Sequence, residues 1–336
     1  MVSVGVIGSG AWGTTLALLL ARNGISATIW DHRPERALEM QRARENSMFL
    51  PGIHFPEAIR VTSDSAEVVH QKDLLLLVTP SQKLRDNLRI LAPHLSPETI
   101  LVNASKGIEI NSLQRMTEVI GEEIPGSHLR IAALSGPNLS REVAEGKPTA
   151  AVVAAYNPEV ARTVQNIINF NTFRVYTSND VIGVELGGAL KNIIAIGAGF
   201  NDGLGYGENA KAAIITRGLA EISRLGVAAG ANPLTFAGLA GMGDLVGTCA
   251  SPLSRNQQLG RRLASGEKLA DILQSTHSVA EGVSTTQAAL RLADRYHVEM
   301  PIAKLLSQIL FEDLDPRQAV LELMMRDPKG ELEGSF

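Results

Sequence analysis

The 336-residue chain is 45% apolar and 20% charged, the composition of a globular protein, not a disordered one, and it is long enough for two domains. A net charge of −4 argues against a general binder of nucleic acid or anionic membranes, while leaving room for a local basic pocket. Cys249 is the single cysteine, which excludes an intrachain disulfide.

Taken in chain order, the first expected strand is Val2 to Ile7, and it runs straight into Gly8-Ser9-Gly10-Ala11-Trp12-Gly13. That G-x-G-x-x-G spacing opens an expected helix, Thr14 to Arg22, closed at Gly24. The three glycines do different things. Gly8 turns the chain, Gly10 admits a pyrophosphate to the backbone, and Gly13 lets helix and strand approach. The helix N-terminus then presents unpaired N–H groups to the phosphates. Strand, glycine loop, helix and the next strand, Ala27 to Trp30, together indicate a dinucleotide site. No basic leader precedes the first strand and no apolar run approaches the ~20 residues that span a bilayer, so the expectation is a cytoplasmic protein without an integral membrane segment.

Further strands are expected at Leu74 to Val78, Thr99 to Asn103, Leu129 to Leu134 and Ala150 to Ala154, with helical composition at Pro34 to Arg44 and Gln82 to Leu91. The alternation implies a Rossmann-like, doubly wound, mostly parallel α/β sheet, with ligands at the carboxyl ends of its strands. From Ser178-Asn179-Asp180 onward the character changes to helix: Val181 to about Gly199, Ala210 to Gly226, Ala288 to Tyr296, Ile302 to Phe311 and Pro316 to Met325. The expected organisation is a dinucleotide-binding domain over residues 1–179 and a mainly α-helical substrate domain over 180–336, the tail from Lys329 being frayed.

A cofactor-binding sheet followed by helices suggests an oxidoreductase. On one face of the first long helix stand Gly187, Gly188 and Lys191. Reduction of a ketone needs a proton donor beside the hydride donor, and a desolvated lysine can serve. A surface lysine on a helix packed through its glycines is the competing local reading. Ser254-Arg255-Asn256 offers donors for a phosphate, or equally a helix N-cap followed by solvated polar residues. Lys106 follows a strand at its carboxyl end, where a cation suits an anionic substrate and an exposed loop lysine is the alternative. The seven histidines and Cys249 form no recognisable ligand cluster, so no metal is expected.

Seven motifs in order make the chain resemble the bacterial-type, NAD(P)-linked glycerol-3-phosphate dehydrogenase family. They are Gly8 to Thr14, Leu50-Pro51-Gly52, Ser105-Lys106-Gly107, Ser135-Gly136-Pro137, Gly188 to Asn192, Gly241 to Leu245, and Ser254-Arg255-Asn256. The resemblance implies interconversion of dihydroxyacetone phosphate and glycerol 3-phosphate, a supply of phospholipid precursor, and a homodimer. It implies Lys191 as the proton donor or acceptor, and Lys106, Gly136, Asn138, Asp244, Ser254, Arg255 and Asn256 as substrate contacts. For the cofactor it implies Gly8, Gly10, Ala11, Trp12, Gly13, Arg33, Lys106, Ser140, Arg255, Val279 and Glu281. Asn138 and Ser140 depart from its pattern, which has a small hydroxyl residue and an alanine there. Asp31, about twenty residues past the fingerprint, would favour NAD through the ribose hydroxyls. Arg33 would instead pair the 2′-phosphate of NADP, and the resemblance favours Arg33 and hence NADPH. A 6-phosphogluconate or hydroxy-acid dehydrogenase, or a dinucleotide sensor without turnover, are the rival readings.

Overall fold

Eight strands form one sheet in the order β3-β2-β1-β4-β5-β6-β7-β8. They are β1 (Ser3–Ile7), β2 (Ser26–Trp30), β3 (Ile59–Thr62), β4 (Leu74–Leu77), β5 (Ile100–Asn103), β6 (Ile131–Ser135), β7 (Thr149–Ala155) and β8 (Phe173–Ser178). The structure is a computed structural model and describes residues 2–276, 280–328 and 330–331. β3 through β6 are parallel; β7 reverses against β6, and β8 runs parallel to β7. Strand order turns at β1, whose neighbours are β2 and β4, and this switch point is where open α/β sheets leave a crevice at their carboxyl ends.

The helices around the sheet are α1 (Ala11–Arg22), α2 (Pro34–Ala43), α3 (Ser65–Val69), α4 (Leu84–Leu91), α5 (Met116–Glu123), α6 (Ser140–Ala144) and α7 (Pro158–Ile168). They cover both faces. Val4, Val6 and Leu76 pack with Leu16 and Leu20 of α1 on one side, while Ile7, Leu75, Leu77 and Leu101 pack with Leu84 and Leu88 of α4 and Ile120 of α5 on the other. Two-sided burial is why β4 reads Leu-Leu-Leu-Leu without alternation.

The remaining helices are α8 (Val181–Leu204), α9 (Glu208–Ala228), α10 (Pro233–Phe236), α11 (Asp244–Ala250), α12 (Arg255–Ala264), α13 (Leu269–Ser275), α14 (Glu281–Tyr296), α15 (Pro301–Phe311) and α16 (Pro316–Met324), with a π-helical turn at Leu239–Gly243. By length and apolar content α8 could cross a bilayer, contrary to the expectation that no run is long enough. In the structure 94% of its apolar window is buried, and it is the central core helix of its unit.

The chain divides into two units. The first holds Met1–Ser105 and Met116–Val181; the second holds Lys106–Arg115 and Ile182–Phe336. The expected linear boundary at 179/180 therefore misplaces Lys106–Arg115. That segment joins the helical unit because Ile108 and Leu113 are buried in its apolar core and Arg115 donates to Glu185 at 2.7 Å. Two strands fall outside the expectations. β3 is only four residues long, and β8, with buried Phe173 and Val175 alternating with exposed Arg174 and Tyr176, is an edge strand.

Candidate active site

In the first unit the glycine loop leaves β1 at the switch point. Gly8 sits at φ +119°, and a Cβ there would lie 2.5 Å from the Val78 carbonyl oxygen. A Cβ on Gly13 would lie 2.0 Å from the Gly8 carbonyl oxygen, so α1 can begin here only with glycine. Around Gly10 nothing comes within 4 Å of such an atom: the backbone is open where a pyrophosphate would approach. Gly10 is also the N-cap of α1 and has no side chain to cap it, leaving the N–H groups of Ala11, Trp12 and Gly13 at the positive end of the helix. Trp12 Nε1, Thr79 Oγ1, Ser135 Oγ and both amide atoms of Asn138 are buried without a hydrogen-bond partner among the described residues. They follow or end β1, β4 and β6, and such buried capacity is costly unless a ligand or water uses it. A dinucleotide fits this cradle.

Gly136 (φ +137°), Asn138 and Ser140 stand in the same unit, after β6 and at the start of α6. Ser140 also offers its carbonyl to Thr15 of α1 at 3.0 Å. Arg33 is the N-cap residue of α2, with a side chain 54% exposed. Asp31, by contrast, is only 1% exposed and is turned inward to Ser9 and Arg36.

The second unit gathers the other set. Lys191 of α8 is 6% exposed and donates to Asp244 Oδ1 at 2.5 Å and to the Thr248 hydroxyl. Lys106 reaches the other oxygen of the same carboxylate, Oδ2, at 2.7 Å. Thr248 in turn donates to the Asp244 carbonyl at 2.6 Å, so its oxygen is free to accept from Lys191. Asp244 and Thr248 are one turn apart on α11 and share a face. Gly187 explains the approach of α8: a Cβ there would lie 2.5 Å from the Ala240 carbonyl oxygen of the π-helical turn that leads into α11. The glycine thus admits a neighbouring backbone, and the lysine beside it is buried, not superficial.

Burial lowers the Lys191 ammonium to about 8, opposed by Asp244 and reinforced by Lys106. An ammonium has three donors, and Asp244 and Thr248 take two; among the described residues the third N–H has no partner. Two lysines and one aspartate leave this cluster with one net positive charge, suited to an anionic substrate.

Asn256 at the start of α12 donates to Asn192 Oδ1 at 2.9 Å and accepts from the Gly282 N–H at 3.1 Å, tying α12 to α8 and α14. The side chain of its neighbour Arg255 makes no ion pair or hydrogen bond among the described residues, and Glu281 is the carboxylate that acts on it electrostatically. Burial lowers Arg255, with Glu281 opposing. Ser254 is the N-cap of α12, accepting from Gln257 N–H at 3.3 Å, so the capping alternative describes its side chain. Val279 lies outside the described residues. Thr248 is the one member of the cluster that motif reading misses; its spacing four residues after Asp244 is the signal that could have found it.

Two family models, together spanning most of the chain, match it. The N-terminal model of NAD-dependent glycerol-3-phosphate dehydrogenase matches residues 3–161 and the C-terminal model residues 180–321. The chain belongs to the NAD-dependent glycerol-3-phosphate dehydrogenase family. It is 53% identical over 329 residues to the glycerol-3-phosphate dehydrogenase [NAD(P)+] of Geobacter metallireducens, covering 98% of each chain. The corresponding protein of Geobacter sulfurreducens is 54% identical with the same coverage. Among solved structures, glycerol-3-phosphate dehydrogenase from Coxiella burnetii superposes with a TM-score of 0.92 at 37% identity, over 96% of this chain and 99% of that one. D-mandelate dehydrogenase reaches only 0.61 at 13% identity over 93% of this chain and 98% of its own, a likeness of fold alone.

Proposed function

We infer that the chain is an NAD(P)-dependent oxidoreductase that interconverts dihydroxyacetone phosphate and sn-glycerol 3-phosphate. The observation that carries this reading is Lys191, buried in a family member's helix, with one N–H left over among the described residues and an ammonium lowered to about 8. A general acid works best when its pKa lies near the operating pH. The glycine cradle would hold the pyrophosphate of the dinucleotide, which when bound would supply or take up a hydride.

The chain's own residues do the rest. In the reducing direction Lys191 hydrogen-bonds the C2 carbonyl oxygen through its third N–H and delivers its proton as that oxygen becomes an alcohol. Asp244 and Thr248 fix the ammonium's direction by occupying its other two donors. After transfer, the neutral amine is favoured by burial and by the Lys106 charge, and Asp244 favours taking a proton back. In the oxidising direction neutral Lys191 takes the hydroxyl proton. Lys106 and Arg255 meet the phosphate dianion, Arg255 with a forked guanidinium that suits its oxygens. Asn256, Ser254, Gly136 and Asn138 are the further substrate contacts of this reading, and Ser140, Glu281 and Val279 the further cofactor contacts.

The reading places dinucleotide binding in the first unit and proton chemistry in the second. It takes the protein to be a cytoplasmic homodimer that supplies glycerophospholipid synthesis, preferring NADPH through Arg33; the family resemblance supports each of these. The test is oxidation of reduced nicotinamide on addition of dihydroxyacetone phosphate, with unphosphorylated dihydroxyacetone as control. Turnover with the phosphate ester and its near loss without the phosphate are expected. Binding of cofactor without oxidation would overturn the reading in favour of a sensor.

A further inference from the structure

The end of β2 poses a contradiction. A carboxylate there, Asp31, is the group that would accept hydrogen bonds from an unsubstituted adenosine ribose and repel a 2′-phosphate. Two residues on stands Arg33, which would attract that phosphate. The structure separates the two by what each side chain touches.

Asp31 is saturated. Its Oδ1 accepts the Arg33 backbone N–H at 2.9 Å, and its Oδ2 accepts from Ser9 Oγ and from both Nε and a terminal nitrogen of Arg36. Its side chain has no exposed surface, and among the described residues the Arg33 guanidinium, with Nε at 3.9 Å, and the His32 ring, with Nδ1 at 3.8 Å, also lie near it. Three donors crowd Oδ2, which has about two lone-pair sites, so that oxygen is fully used, while Oδ1 is held by the Arg33 N–H and buried with the rest of the side chain. Arg36 itself is held on both sides. It donates to Ser9 Oγ at 2.6 Å, and its guanidinium lies over the Phe49 ring, 5.2 Å from the centroid. Only 14% of its side chain is exposed. Ser9 is fixed from behind as well, because Asn46 donates to its carbonyl at 2.7 Å and to Thr14 Oγ1 at 2.8 Å.

We propose that Arg36 is a positioning residue for cofactor choice: by clamping Asp31 against Ser9 it withdraws the carboxylate that would read a ribose 2′-hydroxyl, leaving a 2′-phosphate to Arg33. This rests on the dinucleotide reading of the first unit. Arg36 touches Asp31, not the cofactor, so its effect is on discrimination and not on the chemical step. A salt-bridged carboxylate also presents no uncompensated charge to a phosphate nearby, whereas a released one does.

The test measures binding, independent of turnover. The wild-type protein, Arg36→Met and the double variant Arg36→Met/Asp31→Asn are titrated calorimetrically with 2′,5′-ADP and with 5′-AMP, which differ only in the 2′-phosphate. The wild type is expected to bind 2′,5′-ADP more tightly. Arg36→Met should reduce that preference about tenfold or more, the equivalent of about 1.4 kcal/mol, with 5′-AMP bound as well as before or better. Adding Asp31→Asn should restore the preference, which also shows that the methionine at position 36 is tolerated. A preference unchanged in Arg36→Met would overturn the proposal. Equal weakening of both ligands, unrelieved in the double variant, would reduce Arg36 to a structural anchor. If the wild type binds neither ligand, the dinucleotide reading falls and the proposal with it; failure to oxidise NADPH with dihydroxyacetone phosphate would leave this binding ratio standing.

Discussion

Asp244→Asn removes one negative charge and one strong acceptor from the ammonium of Lys191 while preserving side-chain volume. Asp244 raises Lys191 both through its charge and through the 2.5 Å hydrogen bond, whereas burial and Lys106 lower it. With the carboxylate gone, both lowering influences remain, so the ammonium must fall below about 8. Opposite charges about 4 Å apart at an effective dielectric near 20 interact by about 4 kcal/mol, or about three pH units. Water entering the site and Lys106 swinging away reduce this, so a fall of about one to three pH units is expected. The assay is kcat/KM for dihydroxyacetone phosphate against pH at saturating reduced cofactor. In the wild type the reduction should decline as pH rises through about 8, where Lys191 loses its proton, and oxidation of glycerol 3-phosphate should rise through the same value. In Asp244→Asn both limbs should move to lower pH. A limb that stays near 8 or moves upward would refute the assignment of Lys191 as the titrating acid.

Other outcomes follow from the same geometry. Gly10→Ala should fold normally and lose cofactor affinity, since a Cβ there meets nothing within 4 Å; Gly13→Ala should unfold at a distinctly lower temperature, since its Cβ would lie 2.0 Å from a carbonyl oxygen. Arg255→Met should raise KM for dihydroxyacetone phosphate about tenfold or more, with a smaller change in cofactor dissociation constant. Glu221, 2% exposed and accepting from the Ile302 N–H at 2.7 Å, is pushed by burial up to about 7. A carboxyl raised in the folded state contributes stability present below the unfolded value near 4.5 and lost as pH rises through about 7. The cost at alkaline pH is roughly 3 kcal/mol, and Glu221→Gln should flatten that part of the thermal stability profile.

The glycine loop is legible in the sequence because it states a local requirement: strand, positive-φ glycine, close helix start. Lys191 is legible as a position on a helical face, but not as a buried group. Its burial depends on the π-helical turn and α11, some fifty residues downstream in sequence, which no local pattern around Gly187 describes. For the same reason the allegiance of Lys106–Arg115 is hidden, since its partners Glu185, Asp244 and Arg291 are far along the chain. α7 is a different case. Asn157 caps it, Pro158 occupies its first turn, and Val160, Ala161, Val164, Ile167 and Ile168 recur at helical spacing, so its signal is present in the sequence. The competition between Asp31 and Arg33 cannot be resolved from residue types, because what decides it is the direction of one carboxylate. Arg36, five residues away on α2, sets that direction.

The most direct measurement is made on Lys191→Ala: turnover of dihydroxyacetone phosphate alongside the dissociation constant for the reduced cofactor. The account predicts turnover lower by about a hundred- to ten-thousandfold, with cofactor binding unchanged because Lys191 is not among the residues assigned to the cofactor. Turnover within a few-fold of wild type would contradict the acid–base role at the centre of the mechanism.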